Sequence, residues 1–338
     1  MNIAFTAAAA DRSFAASRSR PFDQQENVIV IVNNPPAELA GRVWMLGTGA
    51  YPIYLIRGHD HGLLVEGGIS ALGPVLRRQL AAMAVKDGYI SEAVITHAHP
   101  DHVMAVPALR ALFPGLVVSS SAAAAEVLNS EKALAFFKQI DQSLTEALSR
   151  RGEASEAAEL PPDCSSIRVD RILHDGDTIA VDDMQWSVLA TPGHSACSIS
   201  LFEPQARVLI ISDASGFYLP EHRYWWPNYF ADFGQYVASL ERLAALGADV
   251  LCLSHNAAVV GTAEVAGYFA GALAATRDYH RRIIAELNAG IPPRQLAEQL
   301  GAEVHARTNI LPVEFFQKNC ALLIKLSQQW HALHPDGC

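Results

Sequence analysis

Four side chains of types that commonly bind metal ions fall within six positions, at His97, His99, Asp101 and His102. They directly follow residues 93–96, an apolar run that predicts a buried strand ending in a loop. Because alternate side chains of an extended segment point the same way, His97 and His99 can converge on one ion. Asp101 and His102 come after the chain has turned and can face a second ion. Imidazole and carboxylate ligands together suit zinc, iron or manganese better than calcium.

Three further candidate ligands stand at the ends of apolar segments later in the chain. They are His194, Asp213 and His255. A metal site needs ligands gathered from several strand ends, and this pattern supplies them. A single histidine is usually an ordinary surface residue, but a cluster with partners downstream favours a metal site over a polar surface loop.

The succession His-x-His-x-Asp-His, then Gly-His, then Asp, then His resembles the metallo-β-lactamase-fold hydrolases over about residues 42–260. The resemblance implies two divalent metal ions, with zinc favoured and iron or manganese as alternatives. It implies that one ion is held by His97, His99 and His194. It implies that the other ion is held by Asp101, His102 and His255, with Asp213 bridging the two.

The chain between these motifs has the pattern of an α/β protein. Apolar runs at residues 43–46, 53–56 and 63–65, separated by glycine-containing turns, predict strands joined in antiparallel hairpins. A helix is expected at about 102–113, and Ser121 is expected to cap another helix. Strands alternate with helices in both halves, which fits a four-layer αββα sandwich with the metals at one edge between the sheets.

The two ends of the chain differ from this central part. Residues 1–27 are rich in alanine and serine, which favours a disordered extension over an organellar transit peptide. Residues 28–261 are expected to form the catalytic domain, with a helical insertion at about 131–160, and residues 262–338 a C-terminal helical appendage. Its helices are expected at about 262–289, 293–302 and 311–333. In the PqsE-like thioesterases, which this arrangement resembles, such helices roof the active site; a dimerisation or packing surface is the alternative.

An aromatic-rich segment follows Asp213 and is predicted to be an irregular loop. Since it begins beside a candidate metal ligand, its side chains are candidates to line an apolar substrate pocket. These candidate substrate-binding residues are Phe217, Tyr218, Tyr224, Trp225 and Trp226. Ordinary packing under the following helix is the alternative.

The composition disfavours several kinds of partner. The formal net charge is −10, which disfavours nucleic acid because affinity for phosphate comes mainly from lysine and arginine. Apolar runs are shorter than the roughly 20 residues of a membrane span, so no membrane partner is expected. Five cysteines at scattered spacing, without a CxxC pair, fit reduced thiols in a cytoplasmic protein.

The implied metals suggest a hydrolytic mechanism. Two ions about 3.5–4 Å apart can hold a hydroxide, polarise a carbonyl group and stabilise the developing oxyanion. Asp101 is the candidate catalytic residue, because it can orient that nucleophile or accept its proton. A thiolate leaves readily, since thiol pKa values are near 8.5, so a site without an obvious general acid suits a thioester. The alkoxide of a lactone would need a proton donor, and Tyr218, Tyr224 and Tyr229 are candidates.

We therefore expect a dinuclear-metal hydrolase that cleaves an acyl thioester of coenzyme A or an acyl carrier protein, such as a secondary-metabolite intermediate. Residues 65–70 resemble the same segment of PqsE-like thioesterases, although Glu66 stands where many members of the wider family have aspartate. A lactonase or another ester hydrolase of this fold is the first alternative. The second is a regulatory or partner-binding protein with secondary hydrolase activity, for which a homodimer or a partner complex is expected.

Overall fold

The protein is described by a computed structural model that covers residues 30–153 and 164–335. The extension expected at residues 1–27 and the last part of the insertion expected at 131–160 lie outside the described residues. Within the described ranges, no helix combines the length and the apolar character that crossing a membrane requires.

The described residues form two seven-stranded sheets and a separate hairpin. The strands are β1 (Ile31–Val32), β2 (Ala37–Ala40), β3 (Val43–Gly47), β4 (Pro52–Arg57), β5 (Gly62–Val65), β6 (Ile90–Val94), β7 (Val117–Ser121), β8 (Arg171–Leu173), β9 (Thr178–Val181), β10 (Met184–Ala190), β11 (Ile199–Glu203), β12 (Val208–Ser212), β13 (Phe217–Leu219), β14 (Tyr224–Trp226), β15 (Val250–Leu253) and β16 (Ala258–Val260). The α-helices are α1 (Leu72–Ala82), α2 (Val106–Leu112), α3 (Ala122–Leu128), α4 (Glu131–Arg150), α5 (Phe233–Ala244), α6 (Thr262–Asn288), α7 (Pro293–Thr308) and α8 (Val313–Leu333).

The strand order brings the ends of several strands to one edge. The first sheet runs β2-β3-β4-β5-β6-β7-β8, antiparallel from β2 to β5 and parallel from β5 to β8. The second runs β1-β16-β15-β12-β11-β10-β9, and only β12 and β15 of its described strands are parallel neighbours. Since β10 and β12 both run antiparallel to β11, the carboxyl ends of β10, β12 and β15 lie at the same edge.

The two sheets pack face to face, with helices on their outer faces. Successive side chains of a strand point to opposite faces. Tyr54 and Ile56 of β4 therefore lie in the core between the sheets, where they join Trp186 from β10. Ile53 and Leu55 lie in the second core, against the helices. Burial on both faces explains why these strands are continuous apolar runs. The predicted four-layer αββα sandwich is confirmed.

The helix expected at about 102–113 is interrupted in the structure. A 3₁₀ turn at Pro100–His102 comes first, and α2 begins only at Val106. The physical reason is Pro107, which lies in the first turn of α2, because proline lacks the N–H group that a position inside a longer helix would need. The cap predicted for the following helix is present: the Ser121 hydroxyl accepts a hydrogen bond from the Ala124 N–H at 3.2 Å.

Two further elements differ from the sequence-based expectation. The aromatic segment expected to be irregular forms the hairpin β13–β14, in which Phe217 pairs with Trp226. Helix α7 continues to Thr308 rather than ending at about 302. Gly301 lies inside α7, where an added Cβ would come within 2.6 Å of the Gln317 backbone. The glycine therefore permits close packing of α7 against α8.

The three C-terminal helices pack on the body of the fold and on one another. Helix α6 contacts α5, β14 and β16, and α8 contacts α5, α6 and α7. The C-terminal helices expected from the sequence are thus present, while the division into domains at residues 261 and 262 stays a prediction.

Candidate metal centre

Three histidines converge where β6 and β10 end. His97 and His99 follow β6, and His194 lies in the loop after β10. His97 Nε2 lies 3.0 Å from His99 Nδ1, and His194 Nε2 lies 3.2 Å and 3.0 Å from those two atoms. A tetrahedral zinc ion with Zn–N distances of about 2.0–2.1 Å would separate its nitrogen ligands by about 3.3 Å. The spacing of the three nitrogens therefore fits one shared metal ion.

A second group combines Asp101 and His102, from the 3₁₀ turn, with His255, which follows β15. Asp101 Oδ2 lies 3.4 Å from His255 Nε2 and 3.7 Å from His102 Nε2. His102 Nε2 is buried and has no hydrogen-bond partner in the described part of the chain. A buried polar atom without a partner is costly, and a metal ion at this position would remove the cost.

Asp213, in the turn after β12, lies between the two groups. Its Oδ2 atom is 3.4 Å from His194 Nε2 and 3.5 Å from His102 Nε2, and its Oδ1 atom is 3.4 Å from His255 Nε2. The Ser254 hydroxyl donates a hydrogen bond to Oδ1. The structure thus brings together all seven ligands expected from the sequence, with the aspartate in the position that bridging would require.

The second ring nitrogen of three of these histidines is held by a neighbour. His194 Nδ1 is 2.8 Å from the Asn228 carbonyl oxygen, and His255 Nδ1 is 3.1 Å from the Ala50 carbonyl oxygen. Such contacts favour the tautomer in which Nδ1 donates and leave Nε2, with its lone pair, facing the centre of the site.

Glu66 holds His102 in the same way, and the sequence did not assign it to the site. Its side chain is buried, with Oε2 2.9 Å from His102 Nδ1. The Thr96 hydroxyl donates to Glu66 Oε1 at 2.8 Å, and the Ser212 oxygen lies 2.6 Å from that hydroxyl. The sequence feature that could have indicated this role is a carboxylate at the end of a buried strand, immediately before two glycines.

The backbone is strained next to the site. Glu66 has φ +84° and Ser212 has φ +51°, values that side chains other than glycine adopt at a cost. Gly193 has φ +130°, and an added Cβ there would overlap the backbone of Tyr236 on α5. The glycine before His194 is therefore required for the approach of this loop to α5.

Burial and neighbouring charges divide the histidines into two classes. Burial, with the neighbouring imidazoles, lowers the pKa of His97 well below its usual value and that of His99 to about 3. Burial likewise lowers the pKa of His194. These three rings are therefore neutral near pH 7, which is the form that binds metal.

The other two histidines lie among carboxylates. Burial lowers the pKa of His255, but Asp213 and Asp101 outweigh it and raise the pKa to about 10. For His102, Glu66 and both aspartates outweigh burial in the same way and raise the pKa well above its usual value. Without metal, the positive charge of these two rings balances the negative charge of the buried carboxylates. Bound divalent ions would supply that positive charge instead. The donor set fits two divalent metal ions.

A cavity of about 400 Å³ adjoins these ligands. At one end it is lined by ligand candidates from both groups, namely His99, Asp101, His194, Asp213 and His255. Elsewhere its lining is mainly apolar and comes from α4, the β13–β14 hairpin and the segment after it, the α7–α8 connection and α8, with Phe136, Ile140, Leu144, Phe217, Trp226, Phe230, Ile310, Leu311, Phe315, Phe316 and Leu322. The resemblance implied that C-terminal helices cover the active site, and α8 does line the cavity, but the sequence named no individual side chain of α4 or α8 for a pocket.

Of the five aromatic candidates, Phe217 and Trp226 line this cavity. The other three pack elsewhere: Tyr218 and Trp225 lie against each other, with ring centroids 4.6 Å apart, and Tyr224 lies beneath the Arg307 guanidinium. Alternate residues of a strand point to opposite faces, so Tyr218 and Trp225 face away from Phe217 and Trp226. Tyr224 shares the face of Trp226 but stands two residues along the strand, beneath Arg307.

The tyrosine that lines the cavity is not one of the three expected proton donors. Tyr51, from the turn between β3 and β4, lies edge-on to His255, with ring centroids 5.4 Å apart. Tyr229 is instead buried with its hydroxyl 2.8 Å from Ser327 Oγ. Burial raises the pKa of Tyr51, so its phenol remains a hydrogen-bond donor.

A four-layer αββα sandwich with paired histidine–aspartate groups at the ends of its strands defines a class of metal-dependent hydrolases. The model of the metallo-beta-lactamase superfamily matches residues 46–255, and the chain belongs to that superfamily.

Comparisons with individual proteins agree with this assignment. The chain is 29% identical to "Acyl-coenzyme A thioesterase MBLAC2" of Gallus gallus over 57% of this chain and 66% of that protein. It is 27% identical to a hydroxyacylglutathione hydrolase of Chelativorans sp. (strain BNC1) over 47% of this chain and 49% of that protein. The matches thus span about half to two thirds of the length of these relatives. A metallo-beta-lactamase family protein of Thermus thermophilus shares the fold with TM-score 0.59 and 20% identity, over 86% of this chain and 94% of that one.

Proposed function

We propose that this protein hydrolyses acyl thioesters whose acyl group is apolar. The observation that carries the proposal is the mainly apolar cavity of about 400 Å³ that ends at the candidate metal ligands. An acyl chain in this cavity would remove apolar surface from water, at about 0.8 kcal/mol for each buried methylene group. Its carbonyl carbon would then lie at the polar end, beside Asp101 and His255.

Two divalent ions, of which zinc is the favoured candidate, would be held by His97, His99 and His194 and by Asp101, His102 and His255, with Asp213 between them. When bound, such ions lower the pKa of water to about 7 and polarise a carbonyl group. Asp101 lines the cavity, and His102 and His255 outweigh burial and lower the pKa of its carboxyl group. It is therefore an anion that can orient the attacking water and accept its proton.

The thioester is favoured over other esters by its leaving group and by the relatives. A thiolate leaves without being protonated, because thiol pKa values are near 8.5, so hydrolysis makes little demand for a general acid. One relative is named for hydrolysis of acyl-coenzyme A and another for that of hydroxyacylglutathione.

Hydrolysis of a lactone or another oxygen ester is the second candidate. The observation that favours it is Tyr51, which lines the cavity beside His255 and whose phenol could donate a hydrogen bond to a leaving oxygen.

The test is thiol release from coenzyme A thioesters of increasing acyl length, with acyl-homoserine lactones in parallel. Wild type and His97→Ala are assayed together, with metal content measured in both. The matched control is His174→Ala, which changes an exposed histidine in the turn after β8. We expect thiol release by wild type and the control, and a loss of at least about 10³-fold in His97→Ala. Lactone opening without thiol release by the metal-loaded wild type would contradict the thioesterase proposal and support the second candidate.

A further inference from the structure

A narrow passage adjoins the apolar cavity beside the candidate metal ligands. It has a volume of about 70 Å³. The residues that it shares with the cavity are Tyr51, Phe217, His255, Thr308 and Ile310. Its remaining lining includes charged and polar side chains, namely Arg151, Arg307, Glu221 and Asn256. An apolar cavity and a polar passage therefore adjoin each other beside His255.

A polar depression of about 530 Å³ adjoins the passage. The depression shares with the passage Ala50, Arg151, Glu221 and Asn256. Each of the three spaces thus shares lining residues with the next. A flexible ligand could therefore extend from the apolar cavity, past His255, into the polar depression.

Two arginines give the passage its positive charge in a chain whose net charge is −10. Arg151, at the end of α4, donates from Nη2 to the Thr308 carbonyl oxygen at 3.2 Å. Arg307, in the last turn of α7, donates from Nη1 to the Glu303 carbonyl oxygen at 2.8 Å. A guanidinium group has five N–H donors, so each arginine has donors beyond the one used in these bonds.

The aromatic hairpin helps to fix one of these charges. The Arg307 guanidinium lies over the Tyr224 ring, with Cζ 4.7 Å from the ring centroid. An arginine held by an aromatic ring and a carbonyl oxygen loses less freedom when it binds an anion than one that moves freely. Tyr224 therefore positions a charge in the passage, although it does not line the apolar cavity.

We propose that the passage binds the polar arm of the thiol half of the substrate, and that Arg151 and Arg307 pair with an anionic group on that arm. This inference rests on the proposed function and deepens it. It defines the substrate class as an apolar acyl group on a thiol whose polar chain carries an anionic group, such as phosphate. Both coenzyme A and the phosphopantetheine group of a carrier protein have this chemistry.

The test compares one acyl group on two thiols, coenzyme A and N-acetylcysteamine, which is short and uncharged. The measured quantity is the ratio of kcat/KM for the first thioester to kcat/KM for the second, using the metal-loaded full-length protein. In the double variant Arg151→Gln/Arg307→Gln we expect this ratio to fall about tenfold, mainly through KM for the coenzyme A thioester. The double change to lysine should restore part of the ratio, because it restores the charge but neither the stacking on Tyr224 nor the paired N–H donors of a guanidinium group.

Two further variants control the interpretation. Glu221→Gln removes the negative charge from the passage and should raise the ratio. Arg294→Gln removes an exposed charge that pairs with Glu298 on α7, outside the passage, and should leave the ratio at its wild-type value. Acylated carrier protein is assayed with the same variants to distinguish the two sources. If the arginine substitutions slow hydrolysis of only one of the two thioesters, that of coenzyme A or that of carrier protein, that one is the source.

The outcomes separate this inference from the proposed function. Two results together would overturn the assignment of the passage alone. The double glutamine variant would hydrolyse both small thioesters with a ratio within twofold of wild type, and the arginine substitutions would not change hydrolysis of acylated carrier protein. Failure of the metal-loaded wild type to release thiol from any of the thioesters would overturn the proposed function, and the assignment of the passage with it.

Discussion

Glu66 Oε2 lies 2.9 Å from His102 Nδ1, and both side chains are buried. This contact fixes the imidazole so that Nε2, which has no protein hydrogen-bond partner in the described residues, faces Asp101 and Asp213. In the sequence, Glu66 stands out only because many members of the wider family have aspartate at this position. In the structure, it orients the candidate ligand His102.

Glu66→Ala should weaken metal binding by about 10–100-fold at the group of Asp101, His102 and His255, because His102 loses its orienting carboxylate. The group of His97, His99 and His194 should be affected less. Competition with a chelator, followed by determination of metal per chain, measures both affinities. Glu66→Asp, which keeps the charge on a shorter side chain, should lose less. Equal metal affinities in wild type and Glu66→Ala would contradict an orienting role.

Removal of metal should lower thermal stability as well as activity. Ions that bind only the folded chain stabilise it by about 2.7 kcal/mol at a free concentration 100 times Kd, which corresponds to roughly 4 °C in Tm for a chain of this size. The measurement is a thermal melt of chelator-treated protein with and without added zinc. His97→Ala should show a smaller rise in Tm, and the same Tm for metal-free and zinc-loaded wild type would contradict the site.

Ile140→Trp should shift the substrate preference towards short acyl groups, because Ile140 lines the cavity and a larger side chain would fill part of it. In the wild type, each methylene group that enters the cavity contributes about 0.8 kcal/mol, which is about fourfold in affinity. The check is kcat/KM across a series of acyl lengths. Leu333→Trp makes a similar change at a side chain that is 78% exposed and should leave the series unchanged. An unchanged series in Ile140→Trp would show that the acyl group binds elsewhere.

Tyr51→Phe should reduce cleavage of oxygen esters much more than that of thioesters. The phenol offers a hydrogen bond beside His255, and an alkoxide depends on such a donor far more than a thiolate does. We expect a loss of about 10²-fold or more in kcat for an alkyl ester or lactone and less than tenfold for the matching thioester. Equal losses for both would assign Tyr51 a role in packing alone.

His280 should make the fold less stable in acid. It is buried on α6, stacked on Phe233 with ring centroids 4.3 Å apart, and burial, with His331 and Arg281, lowers its pKa to about 4. Between pH 6.5 and 4 the unfolded chain therefore binds a proton at this residue that the folded chain does not. Its contribution to stability is fully present above pH 6.5 and is lost as the pH falls through this window. Urea unfolding of wild type and His280→Leu at several pH values checks this, and parallel pH profiles would contradict it.

The residue types and their spacing were sufficient to predict the seven candidate ligands and the layered fold. His97, His99, Asp101 and His102 are close in the chain, and His194, Asp213 and His255 each follow a buried strand. Strands buried on both faces are continuous apolar runs, so the pattern shows where each strand ends. Ligands placed at strand ends meet once the strands share an edge.

The lining of the cavity was decided only by the tertiary structure. Phe136, Ile140 and Leu144 lie on one helix, and Phe316 and Leu322 on another that begins more than 160 residues later in the chain. Their apolar spacing predicts amphipathic helices but not which surface each helix covers. Likewise, the hairpin β13–β14 directs Phe217 and Trp226 into the cavity and Tyr224 under Arg307. Which way a side chain faces depends on strand pairing and helix packing, and these are fixed by contacts between residues distant in sequence.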